Sequence, residues 1–209
     1  QDSELKTEVN LDGSTHLNNR LSTATLLHFE NRQTDHDSNG DGFMDMPKLR
    51  QYNIMHRWAY VSPRWISQLL VRGLHDDRRG GQSMKHANSA SSEPLYTTSV
   101  KTNHYEMQWK NGFTLDADHN TSIALMLHGS WHDGDNRFGS TQYDVTQKNG
   151  YAQLMFETDI TEHHNISVGT SVNHDYYNER FNAQEALQQG KSQVTKETTP
   201  GIYAQYTYK

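Results

Sequence analysis

Residues 121–132 read TSIALMLHGSWH, and the apolar and polar side chains in this stretch take strict turns. On an extended chain, Ile123, Leu125, Leu127, Gly129 and Trp131 fall on one face, and Ser122, Ala124, Met126, His128, Ser130 and His132 fall on the other. A period of two marks a β-strand with one apolar and one polar face, because successive side chains of a strand point to opposite sides.

Working outward, the same alternation recurs. Ile166, Val168, Thr170 and Val172 oppose Asn165, Ser167, Gly169, Ser171 and Asn173; Tyr105, Met107 and Trp109 oppose Glu106, Gln108 and Lys110. Tyr52, Ile54, Trp58 and Tyr60 share a face that His56 interrupts. Ala152, Leu154 and Phe156 repeat the pattern, as do Ile202, Ala204, Tyr206 and Tyr208. It is less clean over 21–31 and over 65–75, where Ile66, Leu69, Leu70, Val71 and Leu74 occupy both faces. A first strand is expected near 5–11. Residues 183–189 are the one stretch that reads as a short helix.

Composition narrows the class. Only 33% of the 209 residues are hydrophobic and the mean hydropathy is -0.96, which is poor material for a conventional core. Yet 11 Tyr, 6 Phe and 4 Trp exceed what a disordered chain carries. An ordered fold must therefore use each apolar residue sparingly. Cysteine is absent, so no disulfide framework or thiolate metal site is available. A net charge of -6, with basic residues spread along the chain, disfavours a nucleic-acid partner. No apolar run approaches the ~20 residues of a membrane helix, which leaves a membrane β-barrel open. No Ser-His-Asp elbow, phosphate loop or zinc-protease helix is present, and no enzyme activity is expected.

The connections alternate short and long. Short ones are expected near 12–13, 61–64, 116–120 and 159–164, and long ones at 34–48, 76–95 and 179–197, with 133–139 intermediate. Asn149-Gly150 is a hairpin signal of its own, but 140–158 is read as one strand to keep this rhythm. Alternation of this kind puts long loops on one rim of an up-and-down sheet and tight turns on the other, as in outer-membrane barrels. Trp58, Tyr60 and Trp65 flank one short turn, and Tyr206 and Tyr208 lie at the same end, where an aromatic girdle belongs.

Three groups are candidates for function. The stretch 35–47, DHDSNGDGFMDMP, sets Asp37, Asn39 and Asp41 at alternate positions before Gly42, with Asp45 within reach, as calcium loops do. Lys48 stands where an EF-hand carries its bidentate glutamate, and the flanks are not helical. Two readings stand: a calcium-ordered loop, or a solvated turn whose Asn-Gly and Asp-Gly pairs supply positive φ. Asp76, Asp77, Arg78 and Arg79, followed by two glycines, are candidate ligand contacts, or else a self-paired charge cluster. Among 13 histidines, His128 and His132 share a face but lie roughly 13 Å apart on the strand rise, too far for one ion. His132 with Asp133 and Asp135 reads as a polar loop mouth, and His163-His164 as a solvated turn pair.

Several runs carry a family resemblance: TATLLHFENRQTD (23–35), DSNGDGFMDMP (37–47), QYNIMHRWAY (51–60) and WISQLLVRGLHDDRRGGQ (65–82). With RFGSTQYDVTQKNGYAQLMFETD (137–159) and TTPGIYAQYTY (198–208), they resemble the barrel region of TonB-dependent outer-membrane receptors of the Bacteroidetes type, those similar to the vitamin B12 transporter. The resemblance implies a barrel of about 22 strands around an N-terminal plug, import driven by the TonB complex through that plug, and outer-membrane lipid around the wall. It also implies a small-molecule nutrient such as cobalamin, an iron-siderophore or haem, and a surface lipoprotein lid.

The expectation is therefore all-β: antiparallel, up-and-down transmembrane barrel strands, about nine of a larger barrel, with short periplasmic turns and long extracellular loops. Nine strands do not close as an even-numbered bacterial barrel, so residues 1–209 are expected to be the middle portion of a longer protein, with the plug and the remaining strands elsewhere. A soluble all-β calcium- or carbohydrate-binding module is the alternative.

Overall fold

A computed structural model describes residues 5–83, 94–182 and 190–208. They form one nine-stranded antiparallel sheet whose spatial order is the chain order. The strands are β1 Lys6–His16, β2 Leu21–Arg32, β3 Lys48–Val61, β4 Trp65–Gly81, β5 Thr97–Asp116, β6 Thr121–Phe138, β7 Thr141–Thr161, β8 His164–Asn182 and β9 Lys191–Tyr208. The fold is thus all-β and up-and-down. β1 and β9 do not pair with each other, so the sheet is open.

Register turns the local alternation into two continuous surfaces. Thr23, Trp58, Leu69, Trp109, Leu127, Ala152 and Val172 lie side by side on one face. Met55, Arg72, Glu106, Ser130, Asn149 and Asp175 lie side by side on the other. Among the described residues Leu49 is the sole buried hydrophobic, while Ile54, Tyr105 and Trp131 are each about half exposed. A sheet of this kind has no core of its own. Its apolar face needs something outside the described chain to cover it.

The apolar face is a band rather than a whole surface. It occupies 52–60 on β3, 105–113 on β5, 123–131 on β6 and 166–172 on β8, and Tyr52 shares its ladder row with the polar Asn103 and Asp133. The band therefore crosses the ladder obliquely, as the tilt of strands in a barrel wall requires. Nine residues at ~3.4 Å rise, tilted by ~40°, give a height of roughly 20–25 Å, the height of a lipid-facing belt. Aromatics mark both margins. Trp65 is 4.7 Å from Tyr60 and 5.7 Å from Phe113 at the turn end, and Tyr52 lies 5.2 Å from Phe29 at the loop end.

His56, the polar interruption inside the band, is satisfied within it. Its Nε2 is hydrogen-bonded to the Thr23 hydroxyl at 2.8 Å and its Nδ1 to the Thr25 hydroxyl at 2.6 Å. A polar ring on an apolar face needs such partners, because a polar group left unsatisfied in apolar surroundings costs free energy.

The strands run further than their polarity indicates. Asp12 and Gly13 pair inside the β1–β2 ladder, and the turn is 17–20, where the Asn18 side-chain oxygen accepts the Arg20 and Leu21 amides at 2.8 and 2.9 Å. β4 continues through 76–81 and β8 through Asn182, while β6 continues through 133–138 and closes on β7 at 139–140, with Gly139 at φ 62°. The reason is electrostatic. Charged residues read as loop, but here they pair along and across strands, Arg78 with Asp76, Arg79 with Asp77 and Arg180 with Asp144, so the ladder persists above the band in water. Asn149 and Gly150 stay within the single strand β7. The short helix expected over 183–189 lies outside the described residues.

Candidate ligand-facing wall and outer rim

The polar face is organised by cross-strand hydrogen bonds. His28 bonds the Asn10 side-chain oxygen at 2.6 Å and Gln51 Oε1 at 3.1 Å; the Gln51 amide donates to Asp76 at 2.9 Å, and Arg78 donates to the same carboxylate at 2.8 and 3.0 Å. A second cluster centres on Glu106, which lies 3.4 Å from His128 Nε2 and 3.8 Å from His104 Nε2. From His128 it continues to Asn149 at 3.2 Å, whose amide donates to Asn173 and Asp175 at 2.8 Å each. His132 pairs in register with His104, their rings 5.8 Å apart.

Sequence spacing separates His128 from His132 and says nothing of Glu106. Register brings His132 to His104 and His128 to Glu106, which already shares a face with His104 two residues along β5. The signal for this cluster was present in the sequence only as histidines on the polar faces of two strands whose pairing was unknown. Chemically it is a wet wall of hydrogen-bond donors and acceptors. Among the described residues, no group of three or more His, Asp or Glu side chains converges to hold a metal ion.

The Asp76, Asp77, Arg78, Arg79 group divides between the two faces of the sheet. All four lie on β4, where neighbours face opposite ways, so Asp76 and Arg78 project to the polar face and Asp77 and Arg79 to the face of the apolar band, above its margin. Asp76 is 6% exposed and joins the wall described above.

The 33–47 connection is closed by its own side chains. Asp37 accepts the Gly40 and Gly42 amides at 2.8 and 3.0 Å, Asn39 accepts the Asp41 amide at 3.1 Å, and Asp41 accepts the Phe43 amide at 2.8 Å. Gly40 and Gly42 have φ of 70° and 86°, the positive values expected of this sequence. The loop is then fastened to the end of β4: Met44 donates to the Gly81 carbonyl and Ser83 to the Gly42 carbonyl, each at 2.8 Å. Asp45 accepts the Ser38 amide at 2.8 Å and its hydroxyl at 2.5 Å.

The Ser38 bonds hold the Asp45 carboxyl below its ordinary value. A depressed carboxylate stabilises the folded loop above its unfolded pKa, and that contribution is lost as pH falls through the lowered folded value. Amide exchange at Ser38, corrected for intrinsic rate, is therefore expected to be slow at neutral pH and to accelerate as the solution is acidified below the ordinary carboxylate range. Asp45→Asn should remove that pH dependence.

One apolar band, one polar wall and an up-and-down ladder define the class: a segment of a β-barrel wall. In fold the chain is similar to the ferric yersiniabactin uptake receptor FyuA from Yersinia pestis, with a TM-score of 0.59 over 96% of this chain at 11% sequence identity. The chain spans 34% of that receptor's length. No protein-family model matches the sequence, and no curated protein is similar to it.

Proposed function

We propose that the chain is part of the wall of an outer-membrane receptor that takes up a scarce nutrient, with import coupled to the TonB complex through a plug domain, and that it performs no catalysis. The observation that carries this reading is the pairing of an oblique apolar band with a hydrogen-bonded polar wall on a sheet that has no core. Lipid covers the first face and a wet lumen the second. The likeness to a ferric yersiniabactin receptor supports this wall architecture. An iron complex or cobalamin is the class of cargo proposed, met by the outer rim and by the Glu106 and Asp76 clusters. A surface lipoprotein lid would sit on the rim to which 33–47 belongs.

The test is made on the full gene product. It should sediment with outer membranes, require detergent for extraction, and bind a ferric siderophore or cobalamin in calorimetry. A detergent-free folded monomer would favour the soluble binding module instead.

Calcium is proposed as an ordering ion of the 33–47 loop. Asp37, which accepts the Gly40 and Gly42 amides, stands with Asn39 and Asp41 in this loop, and the Asn39 side-chain amide donates to Asp41 at 3.0 Å. Added calcium should slow exchange of the Gly40 and Gly42 amides in the wild type and leave Asp41→Ala unchanged. Equal protection with and without the ion would remove the proposal.

A further inference from the structure

We propose a lipid site on the membrane-facing side of β3 and β4, one that takes an anionic, phosphate-bearing lipid with an acyl chain in a groove and its phosphate in a basic pocket directly above. The proposal rests on the membrane reading above and deepens it by naming a bound lipid.

The groove exists because Gly73 has no side chain. Ile54 and Tyr105 flank it in register, Leu27, Phe29 and Tyr52 extend its wall, and its volume is about 480 Å³. It is not a flaw in packing that a partner strand fills, since β3, β4 and β5 already pair along its whole length. It opens onto the face where lipid lies.

Above it on the same face, two residues or roughly 7 Å further along the strands, the chemistry changes. Lys48, Arg50 and Arg79 line a small polar pocket with Gln33 and a single carboxylate, Asp77. Arg79 is engaged by Asp77 through Nε and Nη2 at 3.2 and 2.8 Å, and Lys48 lies 4.0 Å from Asp35. Arg50 is exposed, and among the described residues it makes no ion pair within 4.0 Å. Lys101 adds a further positive charge beside Asp77 in register, with Asp135 on its other side. Lys48, Arg50, Arg79 and Lys101 stand against Asp35, Asp77 and Asp135, which leaves one net positive charge, carried by Arg50, at the upper edge of an apolar belt, and that charge complements a phosphate at headgroup depth rather than a neutral sugar. A point charge in bulk water would not need the groove. The continuity of groove and pocket on two adjacent strands selects a molecule that has both parts.

The experiment uses the full receptor purified in dodecyl maltoside and titrated with dimyristoyl phosphatidylglycerol or dimyristoyl phosphatidylcholine, with bound lipid counted by native mass spectrometry. Retention of the anionic lipid is expected to exceed that of the zwitterionic one by about tenfold. Lys48→Gln with Arg50→Gln should bring the two lipids level. Gly73→Phe should lower retention of both; its first carbon meets Ile54 and Tyr105 at 3.4 and 3.6 Å, and heat-modifiable gel migration of the variant checks that it is folded.

Equal retention of the two lipids by the wild type, unchanged preference in the double variant, or equal competition by inorganic phosphate would each overturn the lipid site. A receptor that inserts into bilayers yet shows no preference refutes this site alone. A protein that never inserts refutes the membrane reading as well.

Discussion

On the proposed membrane reading, Leu127→Arg in the full gene product is expected to lower stability in a bilayer by about 2–4 kcal/mol, the cost of an arginine near the midplane of a barrel's lipid face. His128→Arg, one residue on, is expected to change it by no more than about 0.5 kcal/mol. The two positions are adjacent on β6 and point to opposite sides. Leu127 stands between Trp109 and Ala152 in the centre of the apolar band, the face that lipid covers on the proposed reading. His128 stands on the polar wall, 3.4 Å from Glu106, where a guanidinium finds a carboxylate already in place. Urea unfolding in phospholipid vesicles, with heat-modifiable gel migration as a second readout, checks both. Equal losses at the two sites would mean that the faces do not differ in environment, and the barrel-wall reading would fail with them.

Gly81→Ala is expected to detach the outer rim. Gly81 closes β4 at φ 113°, a conformation that side chains rarely adopt and that costs on the order of 1–3 kcal/mol for a non-glycine residue. Space makes the substitution worse, because a side-chain carbon there would lie 2.4 Å from the Tyr96 carbonyl oxygen and 2.8 Å from the Thr97 Cα, both of them backbone. Neither can rotate away. The strand end has to move, and two other segments hang on it: the Gly81 carbonyl accepts Met44 from the 33–47 loop, and Gln82 donates to Tyr96, each at 2.8 Å. Amide exchange at Met44 and Ser83 should rise by at least about tenfold, while Val71 and Met107, deep in the ladder, stay protected. Gly13→Ala is the control, since nothing lies within 4 Å of the carbon it adds. If Gly81→Ala leaves Met44 as protected as the wild type, the loop is held by some other means than its seat on β4.

The two variants probe features of unequal legibility. The faces of β6 were readable from TSIALMLHGSWH alone, and so was the class of fold, because the period-two pattern is local and needs no partner strand. The turns at 62–64 and 117–120 were readable too, from a break in that pattern. The role of Gly81 was not. In the sequence it follows Gly80 in what looked like the start of a long loop, and only the approach of Tyr96 from β5 explains why that position must be glycine.

Misreadings had a common cause. Residues 76–81, 133–138 and 179–182 carry charges and amides, and polarity over several residues resembles a loop. In the folded sheet the same residues neutralise one another along or across strands, as Asp144 and Arg180 do, so the hydrogen-bonded ladder continues through water above the apolar belt. The Asp76 to Arg79 run, being strand, divides between two faces.

What the sequence determined by itself is each strand's inside and outside, since adjacent side chains must point opposite ways whatever the strand pairs with. It also determined the turn chemistry of 33–47, where Asp37 accepts the Gly40 and Gly42 amides within the loop. Tertiary structure alone decided which residues stand side by side: Glu106 between His104 and His128, the groove over Gly73 beneath Lys48 and Arg50, and the oblique course of the band. Those are properties of register, and register is set by the summed pairing of whole strands across the sheet rather than by any one stretch of chain.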